Sequence, residues 1–184
     1  MSTPDAQVSE AHVELVSSDS EAATAHVFVA IGSNEGDRLG NISRALQLLG
    51  GVDRTRLVQL ASIYDTVPDG GPPQGEYLNT VVEIDTALAP EALLDALKGI
   101  ERQLGRRPDG PRWGPRPIDL DILLYDHRMV HEPRLTIPHV MLHRRRFVLE
   151  PLAQLAPALM HPVLRRSIQG LLSDLPPRGA SASE

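Results

Sequence analysis

The segment Arg112-Trp-Gly-Pro-Arg-Pro-Ile-Asp-Leu-Asp-Ile-Leu-Leu-Tyr125 contains the clearest structural signal in the chain. Side chains along a strand point alternately to opposite faces, and the second half of this segment alternates between apolar and acidic residues. Asp119 and Asp121 therefore share one face of the strand, whereas Ile118, Leu120 and Ile122 share the other. We predict a strand over residues 118–125 whose apolar face lies in the core.

The two carboxylates of this strand are candidates for a metal site. Residues two positions apart are about 7 Å apart at the backbone, so their side chains can converge on one or two hard cations. Mg²⁺ prefers carboxylate and phosphate oxygens, and it neutralises charge on a transferred phosphoryl group. A bare Asp-x-Asp pair is more often the exposed face of an edge strand. Arg112 and Arg116 place cations beside this pair and favour a site for nucleotide phosphates.

Apolar periodicity and turn residues predict the elements on either side of this strand. Further strands are predicted over residues 26–31, 56–64 and 78–87, and helices over 38–49, 90–104, 145–155 and 167–172. A hairpin turn at His127-Arg128 and a short extended segment over 135–137 complete the pattern. The order β-α-β, β-α-β predicts an α+β fold, a ferredoxin-like sandwich with one mainly antiparallel sheet and helices on one face.

The length of 184 residues favours one domain, which we expect over residues 26–175. Residues 1–25 are acidic and polar and predict a disordered tail, and residues 176–184 predict a second one. Two loops over 65–76 and 105–117 are dense in Pro and Gly and longer than usual connections. We expect these long catalytic loops to close over ligands.

Charge and composition limit the classes of function. Net charge is −6, yet the stretch from Lys98 to Arg146 contains eleven basic and six acidic residues. This favours a small polyanionic ligand over a membrane or a nucleic acid, although codon usage explains the preference for Arg equally well. The absence of cysteine excludes disulfides and thiolate metal sites. No signal peptide or apolar run of about 20 residues is present, so we expect a soluble, cytoplasmic protein. Separately, we predict that it is a monomer.

Four separated motifs resemble the 6-hydroxymethyl-7,8-dihydropterin pyrophosphokinase family. They are the segment quoted above, Ala30-Ile-Gly-Ser-Asn34, Gly70-Gly-Pro-Pro-Gln-Gly-Glu-Tyr-Leu-Asn79, and Leu135-Thr-Ile-Pro-His139 followed by Arg145-Arg-Phe-Val-Leu-Glu-Pro-Leu152. The resemblance covers about residues 26–165. It implies transfer of pyrophosphate from ATP, bound with two Mg²⁺ ions, to the pterin alcohol, which yields the pterin diphosphate and AMP in folate biosynthesis.

The resemblance also implies roles for individual residues. The implied catalytic residues are Arg106, Arg116, Asp119 and Asp121, of which the two aspartates are also the implied Mg²⁺ ligands. The implied pterin-binding residues are Thr66, Pro68, Tyr77, Asn79, Trp113 and Phe147. The implied ATP-binding residues are Glu101, Arg106, Arg116, Thr136, His139 and Arg145. Two aromatic rings that sandwich a flat heterocycle agree with the physics of stacking.

Several alternatives stay open from the sequence. Phe147 and Tyr77 could be ordinary core residues, and Ser33-Asn34 could be a simple turn and helix cap. A ferredoxin-like RNA-binding module, which displays aromatics and Arg on an open sheet, is the second hypothesis. A catalytically inactive scaffold is the third. Pro108 and Val140-Met141 depart from residues that are polar or basic in many relatives, so ligand contacts are not expected from them.

Overall fold

The computed structural model of the chain describes residues 24–107 and 113–177. Within these residues the strands are β1 (Ala25–Ser33), β2 (Thr55–Leu60), β3 (Tyr64–Thr66), β4 (Tyr77–Thr86), β5 (Asp119–Tyr125), β6 (Val130–Glu132) and β7 (Leu135–Ile137). The helices are α1 (Arg38–Gly50), α2 (Pro90–Gln103), α3 (Arg146–Leu155) and α4 (Ile168–Asp174), with a 3₁₀-helix over Leu142–Arg144. Most of the two expected tails lies outside the described residues, and β1 begins one residue before the expected domain.

The main sheet has the strand order β2-β4-β1-β5, and β3 extends the edge beside β4. All of its paired strands are antiparallel. The helix α1 crosses from β1 to β2, and α2 crosses from β4 to β5, so the two β-α-β units interleave. This arrangement confirms the predicted α+β fold, a ferredoxin-like sandwich with a mainly antiparallel sheet.

One face of this sheet packs against α1 and α2. Asp37 caps α1 by accepting a hydrogen bond from the backbone N–H of Gly40 at 3.0 Å. Pro90 begins α2, where its missing N–H costs no hydrogen bond. The core between these layers is mainly aliphatic and includes Val27, Val29, Ile31, Ile84, Leu120 and Ile122 from the sheet and Ile42, Leu49, Leu93, Leu97 and Ile100 from the helices. Aliphatic side chains therefore fill the core, as the scarcity of aromatics requires.

The opposite face of the sheet is covered by α3 and α4, so the expectation of helices on one face alone is wrong. A second core cluster joins Phe28, Val81 and Leu123 of the sheet to α3 and α4. The physical reason is visible in β5, where the apolar run Ile122–Tyr125 replaces strict alternation, as it does in strands buried on both faces. The two helices cover only part of this face, and a cavity opens beside α3.

Two predicted local features differ in the structure. The strand expected over 56–64 is interrupted, because the N–H of Ser62 donates to Oε1 of Gln154 in α3 at 2.7 Å. β3 then rejoins the sheet and places Thr66 opposite Tyr77. The hairpin expected at His127-Arg128 is also wrong, because β6 pairs with β7 and not with β5.

Candidate active site

The cavity has a volume of about 250 Å³ and lies on the α3 side of the sheet. Its walls come from a first loop (residues 67–76), a second loop (residues 104–118, described here except for 108–112) and the start of α3. Twelve of the fourteen predicted site residues line it: Thr66, Pro68, Tyr77, Asn79, Arg106, Trp113, Arg116, Asp119, Asp121, His139, Arg145 and Phe147. The structure therefore brings together residues that are up to 81 positions apart in the sequence.

The floor of the cavity is formed where β1 and β5 pair. Asp119 lies opposite Gly32, and Asp121 lies opposite Ala30. The neighbouring Leu120 is fully buried in the core on the other face, as the alternation of the sequence predicts. Because β1 presents only small residues here, space remains above both carboxylates. A Cβ atom at Gly32 would lie 2.7 Å from Oδ1 of Asn79, so glycine is needed for this close approach.

Asp119 is the electrostatic centre of the site. Its Oδ1 accepts a short hydrogen bond from Arg106, and its Oδ2 accepts one from Nη1 of Arg116 at 2.9 Å. Burial acts to raise the pKa of Asp119, but the two guanidinium groups outweigh it and hold that pKa below its usual range. Burial likewise acts to lower the pKa of Arg106, but Asp119 and Glu101 raise it overall. The carboxylate of Asp119 and the guanidinium of Arg106 are therefore charged at neutral pH.

Glu101 lies beneath this charged cluster and does not line the cavity. Its Oε1 accepts hydrogen bonds from Lys98 at 2.7 Å, from Arg106 at 2.6 Å and from the backbone N–H of Leu120 at 2.7 Å. Burial raises the pKa of Glu101 even though these donors act to lower it. Glu101 therefore orients Arg106 from below, and its predicted direct contact with ATP stays a prediction.

The aromatic part of the cavity lies between the two loops and α3. Tyr77 begins β4, and Phe147 lies in the first turn of α3, so the two rings approach the same space from different elements. The guanidinium carbon of Arg145 lies 5.6 Å from the ring centroid of Phe147. Asn79 donates from Nδ2 to Oγ1 of Thr66 at 2.6 Å, which fixes its amide at the cavity wall. The site thus combines ring surfaces with an amide at one end and fixed charges at the other.

Comparisons with known proteins show which family has this sequence and fold. A family model described as 7,8-dihydro-6-hydroxymethylpterin-pyrophosphokinase matches residues 28–157. The chain belongs to this family. One relative is the 2-amino-4-hydroxy-6-hydroxymethyldihydropteridine pyrophosphokinase of Pseudomonas aeruginosa. It is 46% identical to this chain over 136 residues, which cover 74% of this chain and 83% of that protein. The pyrophosphokinase of the same name from Methylorubrum extorquens is 38% identical, with 85% and 98% covered.

The pyrophosphokinase family also includes parts of longer proteins. A folate synthesis bifunctional protein of Pisum sativum is 46% identical over 145 residues, which are 78% of this chain but 26% of that protein. A crystal structure of wild-type HPPK-DHPS from Plasmodium falciparum matches with a TM-score of 0.64 at 15% identity. The match covers 82% of this chain and 44% of that one, and it supports the fold alone. The family predicted from the sequence is confirmed.

The remaining predicted residues have other surroundings. Thr136 lies in β7 opposite His131 and does not line the cavity, so its contact with ATP stays a prediction. Ser33 donates to the carbonyl of Pro117 at 2.6 Å, which ties β1 to the second loop. The departures at Val140 and Met141 flank the cavity without lining it. Pro108 and Arg112 lie outside the described residues.

Sequence reasoning missed three residues of the site. Lys98 extends from α2, and its Nζ lies 3.7 Å from Oδ1 of Asp121. Asp69 of the first loop lies 3.7 Å from Nε of Arg145 and lines the cavity. Gln74 also lines the cavity, and its amide nitrogen bonds to carbonyls of both loops, those of Gly70 and Trp113. Lys98, as the single lysine of the chain, carried a usable signal, whereas Asp69 and Gln74 stand in a loop without periodicity.

Proposed function

We propose that this chain transfers the pyrophosphoryl group of ATP to the hydroxymethyl oxygen of 6-hydroxymethyl-7,8-dihydropterin in folate biosynthesis. Membership of the pyrophosphokinase family supports the reaction. The observation that carries the assignment to this cavity is the pair of carboxylates on β5, which face the same space as three arginines and two aromatic rings. Such a site can hold a polyanion at one end and a flat heterocycle at the other.

The triphosphate lies at the arginine end of the cavity. Arg106 and Arg116 already point their guanidinium groups at the floor, where each is paired with Asp119. The Nε–H of Arg145 is buried without a hydrogen-bond partner among the described residues, and phosphate oxygens would satisfy it. His139 lines the same end of the cavity. Burial lowers the pKa of His139, so it contacts ATP as a neutral imidazole at pH 7.

The donor set around Asp119 and Asp121 fits Mg²⁺. Both ligands are hard oxygen donors on one face of β5, which is the chemistry this ion prefers. Within residues 24–107 and 113–177, no group of three or more His, Asp or Glu side chains is placed to hold a metal. In the proposed site, phosphate oxygens and water would complete the coordination, and two ions entering with ATP would suit the pair of carboxylates. When bound, they supply neutralisation of phosphate charge.

The pterin lies between Tyr77 and Phe147. Stacking between two rings stabilises a flat heterocycle, and the amide of Asn79 can pair with its polar edge. Thr66 and Pro68 border the same part of the cavity. Trp113 closes this end from the second loop, with its side chain partly exposed. This binding mode would direct the hydroxymethyl group toward the charged floor.

The reaction joins the two ends of the cavity. The hydroxymethyl oxygen forms a bond to the β-phosphorus of ATP, and the bond between that phosphorus and the α–β bridging oxygen breaks. AMP leaves with the bridging oxygen, and the hydroxyl proton passes to water. The three arginines hold the phosphate groups in line and balance the charge of the leaving AMP. Catalysis is therefore positioning and charge neutralisation, and no side chain is assigned as a general base.

Product analysis tests this proposal. The full chain is incubated with ATP, Mg²⁺ and 6-hydroxymethyl-7,8-dihydropterin, and the nucleotides are separated by chromatography. We expect AMP and the pterin diphosphate in equal amounts and no ADP. Formation of ADP, or no turnover, contradicts the proposal, and RNA binding that weakens steeply with salt would instead favour the RNA-binding alternative.

In the described residues, no helix has the length and apolarity needed to cross a bilayer. Cytoplasmic location and a monomeric state stay predictions.

A further inference from the structure

Gln74 bonds to the two loops that enclose the cavity. Its Nε2 donates to the backbone carbonyl of Trp113 in the second loop at 2.9 Å. The same amide nitrogen lies 3.5 Å from the carbonyl of Gly70 in its own loop. One side chain therefore bridges two segments that are 39 residues apart in sequence and that meet over the cavity.

The carbonyl oxygen of Gln74 is engaged as well. Its Oε1 accepts a hydrogen bond from Nδ2 of Asn34 at 2.9 Å and a longer one from the hydroxyl of Tyr77 at 3.3 Å. Asn34 in turn accepts from the backbone N–H of Arg116 at 2.8 Å and donates its own N–H to the carbonyl of Arg116 at 3.2 Å. Gln74 is thus connected to one ring of the proposed pterin sandwich and, through Asn34, to a proposed phosphate-binding arginine.

The backbone around Gln74 is shaped for the same contact. A Cβ atom at Gly71 would lie 2.6 Å from the carbonyl oxygen of Trp113, and one at Gly70 would touch the indole ring at 3.4 Å. Both glycines have positive φ angles, 84° and 85°, and Trp113 itself has a φ of 66°. A bulky residue adopts such a conformation only when its surroundings hold it there. Gln74 is one of the groups that hold it, because its amide bonds to the Trp113 carbonyl.

We propose that Gln74 is a positioning residue that locks the first loop onto the second and so sets the affinity for the pterin. This inference rests on the proposed function of the cavity. With the lock in place, Tyr77 and Trp113 are fixed before the pterin enters, and the binding energy is not spent on ordering them. Without it, both loops must be ordered by the ligand, and the pterin binds more weakly while the arginine end is largely retained.

Two substitutions separate this role from a purely structural one. Gln74→Met keeps the length of the side chain but removes every hydrogen bond, whereas Gln74→Glu keeps the acceptor for Asn34 and Tyr77 and loses the donor to Trp113. Gln47→Met, on the exposed face of α1, is the matched control. Since Trp113 is the single tryptophan of the chain, its fluorescence reports the second loop directly.

The first readout needs no substrate. In the ligand-free protein we expect a red-shifted emission and stronger acrylamide quenching of Trp113 for Gln74→Met and Gln74→Glu, with wild-type values for the control. The second readout is steady-state kinetics. For Gln74→Met we expect the KM for the pterin to rise on the order of tenfold, because the hydrogen bonds to Trp113, Asn34 and Tyr77 are lost. We expect kcat and the KM for ATP to stay within about threefold, because Asn34 keeps its own two hydrogen bonds to the backbone of Arg116.

Each outcome decides the inference. Wild-type fluorescence together with a wild-type pterin KM for Gln74→Met overturns it. Equal loss of kcat and of affinity for both substrates, with a lowered melting temperature, shows a structural role and also overturns it. If Gln74→Met does not fold, the fluorescence of Gln74→Glu decides, because this variant keeps the contacts to Asn34. If the wild-type chain forms no AMP, the proposed function fails, while the fluorescence comparison still tests the lock between the loops.

Discussion

The two faces of the main sheet are built from the same strands but serve different ends. Toward α1 and α2, the side chains of β1, β4 and β5 meet aliphatic helix residues and form a closed core. Toward α3 and α4, the sheet is packed at one end only, and the uncovered part carries the two aspartates and Asn79. Stability and chemistry are therefore separated by the direction of a side chain and not by its position along the chain.

The strand β5 shows this separation at single-residue scale. Leu120 and Ile122 are buried on the core face, while Asp119 and Asp121 alternate with them on the cavity face. Carboxylates close to a core are costly unless they are paired, and here each has cations within 4 Å. Substitutions one residue apart should thus have opposite consequences, which makes the comparison testable.

The largest effect is expected for Asp119→Asn. It keeps the size of the side chain but removes the charge that orients Arg106 and Arg116 and that would bind Mg²⁺. We expect kcat to fall on the order of 1,000-fold, or about 4 kcal/mol, as for loss of one strong electrostatic contact in a transition state. The melting temperature should fall only modestly, because Arg106 keeps its ion pair with Glu101 and Arg116 keeps its hydrogen bond to the carbonyl of Gly114.

Asp95→Asn is the control for this prediction. Asp95 pairs with Arg134 on the surface of α2, with both side chains more than half exposed. Initial rates of AMP formation at saturating ATP measure the effect in each variant. Full activity of Asp119→Asn would remove the basis for the proposed metal site, and a collapse of stability would show that the carboxylate serves the fold.

Leu120→Ala should act on the other face, with the second largest effect. The substitution leaves a cavity among aliphatic residues of the α1 and α2 core, and such changes cost about 2–5 kcal/mol of unfolding free energy. Activity of the protein that stays folded should remain within about threefold of wild type, since no atom of the cavity is removed. Urea unfolding and AMP formation measured at the same temperature give the two values.

Leu39→Ala is the matched control, since Leu39 is 58% exposed and should cost less than about 0.5 kcal/mol. If Leu120→Ala were as stable as wild type but inactive, the two faces would not be separable. Comparison of Asp119→Asn with Leu120→Ala tests whether one of two adjacent residues serves catalysis and the other serves stability.

Much of this division could be predicted from the sequence. Alternation of acidic and apolar residues placed Asp119 and Asp121 on one face and Leu120 on the other, and the order of elements predicted the sheet. The second covered face was missed because the prediction rested on the alternation around Asp119 and Asp121, although the apolar run Ile122–Tyr125 that follows is typical of a strand buried on both faces. Its partners on α3 and α4 come from the last third of the chain, which local patterns cannot assign to a face.

The polar contacts of the site were harder to predict. Gln74 and Asp69 lie in a loop without periodicity, and their partners are 39 and 76 residues away. The break in the strand before β3 has the same origin, because the N–H of Ser62 bonds to a glutamine of α3 that lies 92 residues later. Long-range hydrogen bonds of this kind leave no trace in local sequence, so their residues were found only in the folded structure.

The two faces also differ in their titratable groups. Toward α1 and α2, the hydrophobic cluster contains the phenol of Tyr125, and the carboxyl of Glu101 in α2 is buried beside it, with burial raising its pKa. Near the α3 and α4 side, His161 is 4% exposed, and its Nδ1 accepts hydrogen bonds from the backbone N–H groups of Val163 and Leu164 at 3.3 and 3.2 Å. A proton on Nδ1 would break both bonds. Burial, and then the neighbouring His143, lower the pKa of His161 below its ordinary value of 6.5.

The smallest effect follows from this histidine and concerns pH. Since the folded-state pKa lies below 6.5, the unfolded chain binds more protons as the pH falls from 6.5 toward the folded value. This contribution to the free energy of unfolding should therefore be fully present above pH 6.5 and be lost as the pH falls through that window, with a slope no steeper than about 1.4 kcal/mol per pH unit for one proton.

His161→Asn offers an amide oxygen to the same two N–H groups and cannot titrate. We expect its urea midpoint to fall less than that of wild type between pH 7.5 and 5.5, whereas His131→Asn, on exposed β6, should follow wild type. Equal falls in wild type and His161→Asn would mean that this histidine is not protonated on unfolding, and the acid sensitivity of the protein would then come from other groups.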